Sequence, residues 1–353
     1  MELTQNSNQI LFENQNFSNL NIYIENNNFS SIFIFTDTIV NTNCLSILLP
    51  NLETLLPIEI IEIEPGEEQK NIEICVQLWQ LLLDYGADKK SLMINLGGGV
   101  ISDLGGFIAS TFKRGISFIN IPTTLLAMVD ASIGGKNGID FGVLKNQIGT
   151  ISNPELILIY PNFLKTLPQN HLLSGFSEML KHALIADKNH WNEIKNLKLI
   201  NYKSIQKYIN TSIDIKKHIS FKDPSEQNLR KLLNFGHTLG HAIESCFLEN
   251  NQEITHGHAV AIGMQLESYL SYQLNHLTFN EFSEINSCIN SLYPSLKFPI
   301  KSINKIIELL KFDKKNSHGK VKFSIIDRIG SGIWDVEIDN QMIINAFECI
   351  KKN

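Results

Sequence analysis

The sequence predicts an α/β N-terminal domain built on a mostly parallel sheet, followed by an all-α C-terminal domain, with the active site expected in the cleft between them. Three observations lead there. Strand-like and helix-like segments alternate up to about residue 161, the pattern of successive βα units. A run of three glycines, Gly97 to Gly99, closes one of the buried strands and opens a helix. Beyond residue 161 the apolar period becomes helical almost throughout, so the expected domains are 1–161 and 162–353.

Taken in order, "SSIFIFTD" (30–37) is a compact apolar run and "IEIIEIE" (58–64) alternates with a period of two, both marks of strands. "NIEICVQLWQLLLDYG" (71–86) has helical apolar spacing and ends at a glycine. "SLMINLGGG" (91–99), "ISFINIP" (116–122) and "ELILIY" (155–160) read as further strands. In the second half, "HLLSGFSEMLKHALIAD", "YKSIQKYINTSIDIKKHIS", "NLRKLLNFGHTLGHAIESCFL" and "HAVAIGMQLESYLSYQL" predict helices. "KVKFSIIDRIGSGIWDVEI" (320–338) predicts a late hairpin. No internal repeat or low-complexity linker separates the halves.

Composition narrows the function. The 353 residues are 43% hydrophobic and 19% charged, the balance of a soluble globular protein. A net charge of −6, with basic residues scattered, gives no nucleic-acid footprint, although cations gathered locally can still form an anion site. Five separated cysteines without a C-x-x-C pair fit reduced thiols and a cytoplasmic location. The Asn-rich start lacks the basic and apolar regions of a signal peptide, and no apolar run approaches the roughly eighteen residues of a membrane span.

The chemistry-bearing residues fall into three groups. "GGGVISDLGGF" (97–107) offers a backbone turn and helix N-terminus suited to a pyrophosphate, but Ser102 stands where G-x-G-x-x-G requires its last glycine. Asp37 ends an earlier strand, placed either to accept from a ribose or to cap the next helix. "PGEEQK" (65–70) carries Glu67 and Lys70 at a strand-to-helix turn. The segments from Arg114 to Gly149 then place Arg114, Thr123, Thr124, Asp130, Lys136, Lys145 and Asn146 among small residues, a pocket with cationic tips. In the helical half, Glu178 lies three residues before Lys181 and four before His182, while His237 and His241 are four apart and share a helix face. Lys216, Lys217, Arg230, Asn234, His256 and His258 add further donors and cations. The H-E-x-x-H protease pattern fails because Thr238 follows His237. Carboxylate and imidazole suit a borderline ion such as Zn²⁺, but spacing does not choose among four histidines.

The segments "GGGVISDLGGFIASTFKRG", "IPTTLLAMVDASIGGKNGID", "LKNQIGT", "FLKTLP", "GFSEMLKHALI", "LRKLLNFGHTLGHAIE", "HGHAVAIGM" and "DKK", in this order, resemble the 3-dehydroquinate synthase family of sugar-phosphate cyclases. The resemblance implies a Rossmann-like first domain, NAD⁺, one divalent metal (Zn²⁺, with Co²⁺ as the alternative), and a homodimer. The implied metal ligands are Glu178, His237 and His256, with His241 in proton transfer beside the catalytic positions Lys136, Lys145, Asn146 and Lys181. Substrate positions implied in the same way are Asp130, Lys216, Arg230, Asn234 and Lys314 or Lys315, together with Arg114, which reaches the neighbouring subunit's site. On the cofactor side the match implies Asp37, Glu67, Lys70, Gly98, Gly99, Asp103, Thr123, Thr124 and Thr166, with Lys136 and Lys145 shared. Ser102, His258 and the Gln169-Asn170-His171 stretch depart from the family pattern.

The implied activity converts 3-deoxy-D-arabino-heptulosonate 7-phosphate (DAHP) into 3-dehydroquinate and phosphate, a lyase step of the shikimate pathway. Its course is transient NAD-dependent oxidation, β-elimination of phosphate, re-reduction, ring opening and intramolecular aldol closure. The rival readings are another sugar-phosphate cyclase, such as 2-deoxy-scyllo-inosose synthase, and a polyol dehydrogenase of the glycerol dehydrogenase type. Lys216, Arg230 and Asn234 fit the dehydroquinate pattern and favour DAHP.

Overall fold

The computed structural model describes residues 9–142, 144–250, 252, 254–296, 298–310 and 321–351. The chain forms two compact units, Met1–Leu167 and Pro168–Asn353. The period change near 161 therefore precedes the structural division by a few residues. Phe163 accounts for the difference: its ring lies 4.9 Å from that of Tyr160 and 6.2 Å from that of Phe17, within the first unit.

A six-stranded sheet forms the centre of the first unit. Its strands are β1 (Gln9–Phe12), β2 (Ile32–Asp37), β3 (Ile58–Ile63), β4 (Leu92–Gly97), β5 (Ser117–Pro122) and β8 (Leu156–Ile159), in the order β1-β8-β5-β4-β2-β3. All pairs are parallel. Buried parallel strands read as continuous apolar runs, and every residue of β4 is buried. Helix α1 (Ser18–Asn26) follows β1; α2 (Ile72–Asp84) starts where the Asn71 side chain accepts from Ile74 N–H at 2.9 Å; α3 (Gly99–Thr111) follows β4 directly. Phe33, Phe35, Met93, Leu104 and Ile108 belong to one buried cluster between sheet and helices. The sheet adds β3 outside β2 but β5, β8 and β1 beyond β4. Asp37 and Gly97 thus end the two strands where the build-out reverses, the usual ligand-binding edge of such sheets.

Two polar features shape this unit. Asn95 in β4 donates its amide to Asn120 in β5 at 2.9 Å, and a Cβ at Gly105 of α3 would lie 2.0 Å from Asn95 Oδ1. The second is a hairpin, β6 (Lys136–Phe141) and β7 (Leu144–Ile151), which the sequence reading did not mark as strands. Its residues lack apolar alternation because Gly138 faces Gly149; a Cβ on either would meet partner backbone at 2.7 or 2.3 Å.

The second unit is largely helical, as predicted, with one antiparallel hairpin of β9 (Lys322–Arg328) and β10 (Ser331–Glu337). Its main helices are α4 (Gln169–Ala186), α5 (Lys188–Ile194), α6 (Ile209–Lys222), α7 (His237–Glu249), α8 (His256–Gln273), α9 (Phe279–Leu292), α10 (Ile300–Leu310) and α11 (Asn340–Lys351). Helix α8 is buried on nearly every side, as an interior helix should be. Leu239, Ile243, Leu266, Leu270, Phe323 and Phe347 share its core. No helix among the described residues is long and apolar enough to cross a membrane.

Burial holds His190 of α5 well below an ordinary histidine, at about 4, with His182 adding to the effect. Its Nε2 lies 3.1 Å from Ser212 Oγ on α6, while Nδ1 has no hydrogen-bond partner. The folded state therefore keeps this ring neutral. Stability from it is complete above pH ~6.5 and is lost as pH falls towards 4, where the unfolded chain takes the proton first, by up to ~3 kcal/mol. We expect His190→Gln to flatten the fall in urea midpoint between pH 6.5 and 4; parallel pH profiles for the two proteins would refute the assignment.

Candidate active site

In the first unit, Gly98 precedes α3 as its N-cap, and a Cβ there would sit 3.1 Å from Thr124 Cγ2. Free backbone N–H groups at this turn form an anion-binding end. Ser102, in place of glycine, is accommodated by donating its hydroxyl to Gly98 O at 3.2 Å, within the helix. Thr123 N–H donates to Gly97 O at 2.9 Å, which ties the ends of β4 and β5 together. Asp37 caps the short helix after β2 through Val40 N–H at 2.9 Å, so the cap reading of this residue is realised in the structure. Thr166 donates its hydroxyl to Phe163 O at 3.2 Å.

Beside this turn, Lys70 is buried and donates to Asp103 Oδ2 at 2.6 Å and to Asn146 Oδ1 at 2.5 Å. Glu67 lies 3.9 Å from Lys70 and 3.6 Å from Lys145. Burial works against the Lys70 charge, but Asp103, Glu67 and Asp140 outweigh it and hold the ammonium above the usual lysine value. Asp140, which the sequence reading passed over, accepts from Asn146 N–H at 2.6 Å and holds that residue at φ +52°. The structure thus gathers Glu67, Lys70, Asp103, Lys145 and Asn146 into one ionic network. Arg114 is exposed with φ +63°, in the turn that leads to β5.

The second unit holds the histidine cluster. Glu178 on α4 is fully buried, and its Oε1 receives no hydrogen bond. Lys181 ion-pairs with Oε2, while Oε1 faces His237 Nε2 at 3.5 Å and His256 Nε2 at 3.9 Å. Ligands around a tetrahedral Zn²⁺ sit roughly 3.3–3.5 Å apart, so each imidazole lies near ligand spacing from Glu178 Oε1. The remaining ring nitrogens are occupied: His237 Nδ1 meets Phe235 O at 3.2 Å, and His256 Nδ1 meets Glu244 Oε2 at 3.2 Å. A nitrogen facing a carbonyl or carboxylate must carry the proton, which leaves the Nε2 lone pairs turned to Glu178. This donor set fits a divalent metal.

His241 joins the cluster, with ligand-type atoms of His237, His241 and His256 lying within 4.8 Å of one another. Its ring centroid is 5.2 Å from that of His237 and 5.6 Å from that of His256. His258 is turned aside, its Nε2 2.9 Å from Pro294 O. Gln169, in the other departing stretch, braces the start of α4 by donating to Ile200 O at 2.9 Å. Arg230 is buried, donates to Pro224 O at 3.0 Å and has its backbone N–H held by Asp223. Asn234 donates to Glu226 at 2.7 Å, and Lys216 on α6 is buried. Lys314 and Lys315 lie outside the described residues. Sequence reasoning missed Glu244, although it follows His237 by seven positions and His241 by three on one helix, a face-sharing pattern.

The family profile for the 3-dehydroquinate synthase N-terminal region matches residues 60–174, and that for its C-terminal region matches 175–316. The chain is 37% identical to 3-dehydroquinate synthase of Parabacteroides distasonis over 323 residues, 91% of each chain. It belongs to the 3-dehydroquinate synthase family. The corresponding protein of Helicobacter pylori strain P12 is 39% identical over 89% of this chain and 90% of its own. Among solved structures, 2-epi-5-epi-valiolone synthase from Streptomyces hygroscopicus with NAD⁺ and Zn²⁺ bound superposes with a TM-score of 0.89 at 25% identity, covering 100% of this chain and 99% of that one. Glycerol dehydrogenase of Schizosaccharomyces pombe, at 15% identity and a TM-score of 0.65 over 100% of this chain and 92% of its own, shares the fold alone.

Proposed function

We propose that this family member converts DAHP to 3-dehydroquinate and phosphate. The observation that carries the reading is the buried Glu178 carboxylate, whose Oε1 has no hydrogen-bond partner and is faced by two imidazole nitrogens whose opposite nitrogens are tied down. When bound, NAD⁺ supplies reversible hydride transfer and the metal, Zn²⁺ or Co²⁺, supplies Lewis-acid polarisation of a substrate hydroxyl. Glu178, His237 and His256 hold the metal in this reading, since one carboxylate and two imidazoles leave positions for substrate oxygens. The turn at Gly98 and Gly99, with Asp37, Glu67, Lys70, Asp103, Thr123, Thr124 and Thr166 around it, takes NAD⁺.

The remaining residues bind the substrate and move its protons. His241 shares a face with His237 and so reaches the same space without being needed as a ligand, which suits it to carry a proton. Lys181 balances the Glu178 charge. Lys216 and Arg230 offer cations to a substrate bearing both phosphate and carboxylate, and Asp130, Lys136, Lys145, Asn146 and Asn234 complete its polar contacts. Arg114, exposed in its turn, serves the site of a second chain in a closed two-fold dimer.

Phosphate release from DAHP, measured beside absorbance for NADH, tests the reaction. Stoichiometric phosphate without net NADH is expected; NADH accumulating with substrate consumed would replace the cyclase by a dehydrogenase. Purified His237→Ala and His256→Ala should lose tightly bound metal, whereas His241→Ala should keep it and lose ~10²–10⁴ in kcat. Full metal content in His237→Ala would remove it from the ligand set. For the dimer, Arg114→Ala and Glu178→Ala proteins, each inactive alone, should recover about a quarter of parental sites after joint refolding, half the dimers being mixed with one intact site each. No recovery despite subunit exchange would return Arg114 to its own chain's site.

A further inference from the structure

Helix α7, which carries His237 and His241, begins without a cap of its own. Its N-cap residue is Gly236, at φ +78°, where helices ordinarily place a side-chain oxygen to receive the first free N–H groups. The oxygens come instead from Glu267 on α8. This side chain is fully buried, takes Gly236 N–H on Oε2 at 2.5 Å and takes Leu239 N–H on Oε1 at 3.1 Å. These are the N-cap and N3 donors, and His237 stands between them as the first helical residue.

We propose that Glu267 is a positioning residue for the metal centre, fixing the backbone from which His237 projects; this rests on the metal reading above. The imidazole of His237 is oriented through Nδ1 on Phe235 O at 3.2 Å. That carbonyl belongs to the same peptide unit as the Gly236 N–H that Glu267 holds. If the peptide turns, both restraints on the ring move together. No other backbone solution is at hand, because a side chain at position 236 would meet Met264 Cγ at 2.5 Å and Val260 O at 3.0 Å. A cap from within α7 is therefore blocked, and the carboxylate reaches across from α8.

Glu267→Gln keeps the volume but sets an amide NH₂ against one of the two N–H donors. Purified protein of this variant, folded by circular dichroism, should bind Zn²⁺ ~10- to 100-fold more weakly than the parent, the usual cost of losing a partner that orients a ligand. Its Co²⁺-loaded form should show an altered visible absorption spectrum. Gln265→Ala serves as the control: it removes, on the same helix, the amide that donates to Asn286 at 2.9 Å and Asn290 at 2.8 Å on α9, and should lower thermal stability while leaving the metal Kd unchanged. A parent protein that binds neither ion, or a His237→Ala variant that binds like the parent, would overturn the metal reading itself. Parental affinity and an unaltered cobalt spectrum in Glu267→Gln would overturn the Glu267 proposal alone. Should that variant not fold, hydrogen exchange on the parent decides: Gly236 and Leu239 amides protected equally with and without metal support the proposal, and amides that exchange freely until metal is added refute it.

Discussion

Backbone-to-backbone contact between helices is the constraint on which the second unit's chemistry depends. Helix α8 meets α4 at Gly257, where a Cβ would lie 2.1 Å from Ser174 O, and Gly257 N–H donates to Ser174 Oγ at 2.9 Å. It meets α7 at Gly263, where a Cβ would lie 1.9 Å from Gly236 O, and at Gly240, within 3.1 Å of Val260 Cα. Side chains at these positions would force the helices apart. Glu178, His237 and His256 come from three different helices, and the bare helix surfaces between them let Glu178 Oε1 lie 3.5 Å from His237 Nε2 and 3.9 Å from His256 Nε2. Packing therefore sets where these side chains meet.

The two units handle buried charge in opposite ways. In the first, the Lys70 cation is enclosed by carboxylates and an amide oxygen, so its desolvation is offset in place. In the second, Lys181 pairs with Oε2 of Glu178, while Oε1 has no hydrogen-bond partner and faces two imidazoles. A closed network suits a scaffold for cofactor contacts. A carboxylate oxygen left open among imidazoles is a place where a cation can be received.

Legibility in the sequence followed the range of the interactions. The strands of the parallel sheet announced themselves because residues such as those of β4 are buried on both faces and therefore uniformly apolar. Strand β1 did not, since its four residues lie within an Asn-rich segment, and the hairpin of β6 and β7 did not, since a facing glycine pair replaces apolar alternation. His237 and His241 could be paired from spacing because one helix carries both. Joining them to Glu178 and His256 needs the register between helices, which no local pattern encodes, and only the family resemblance singled out that set. Glu244 was within reach of helical spacing. Glu267 was not, because its partners lie about thirty positions away on another helix.

The contact between Asn95 and Gly105 bears on how this sequence can drift. With 2.0 Å between Asn95 Oδ1 and the place a methyl would occupy, an alanine at 105 forces the buried Asn95 amide to move while asparagine remains at 95. Shrinking the residue at 95 first opens that route, although it also surrenders the amide donated to Asn120. The order of substitution matters: a descendant that keeps Asn95 will tend to keep Gly105, whereas Gly105 alone does not hold Asn95 in place.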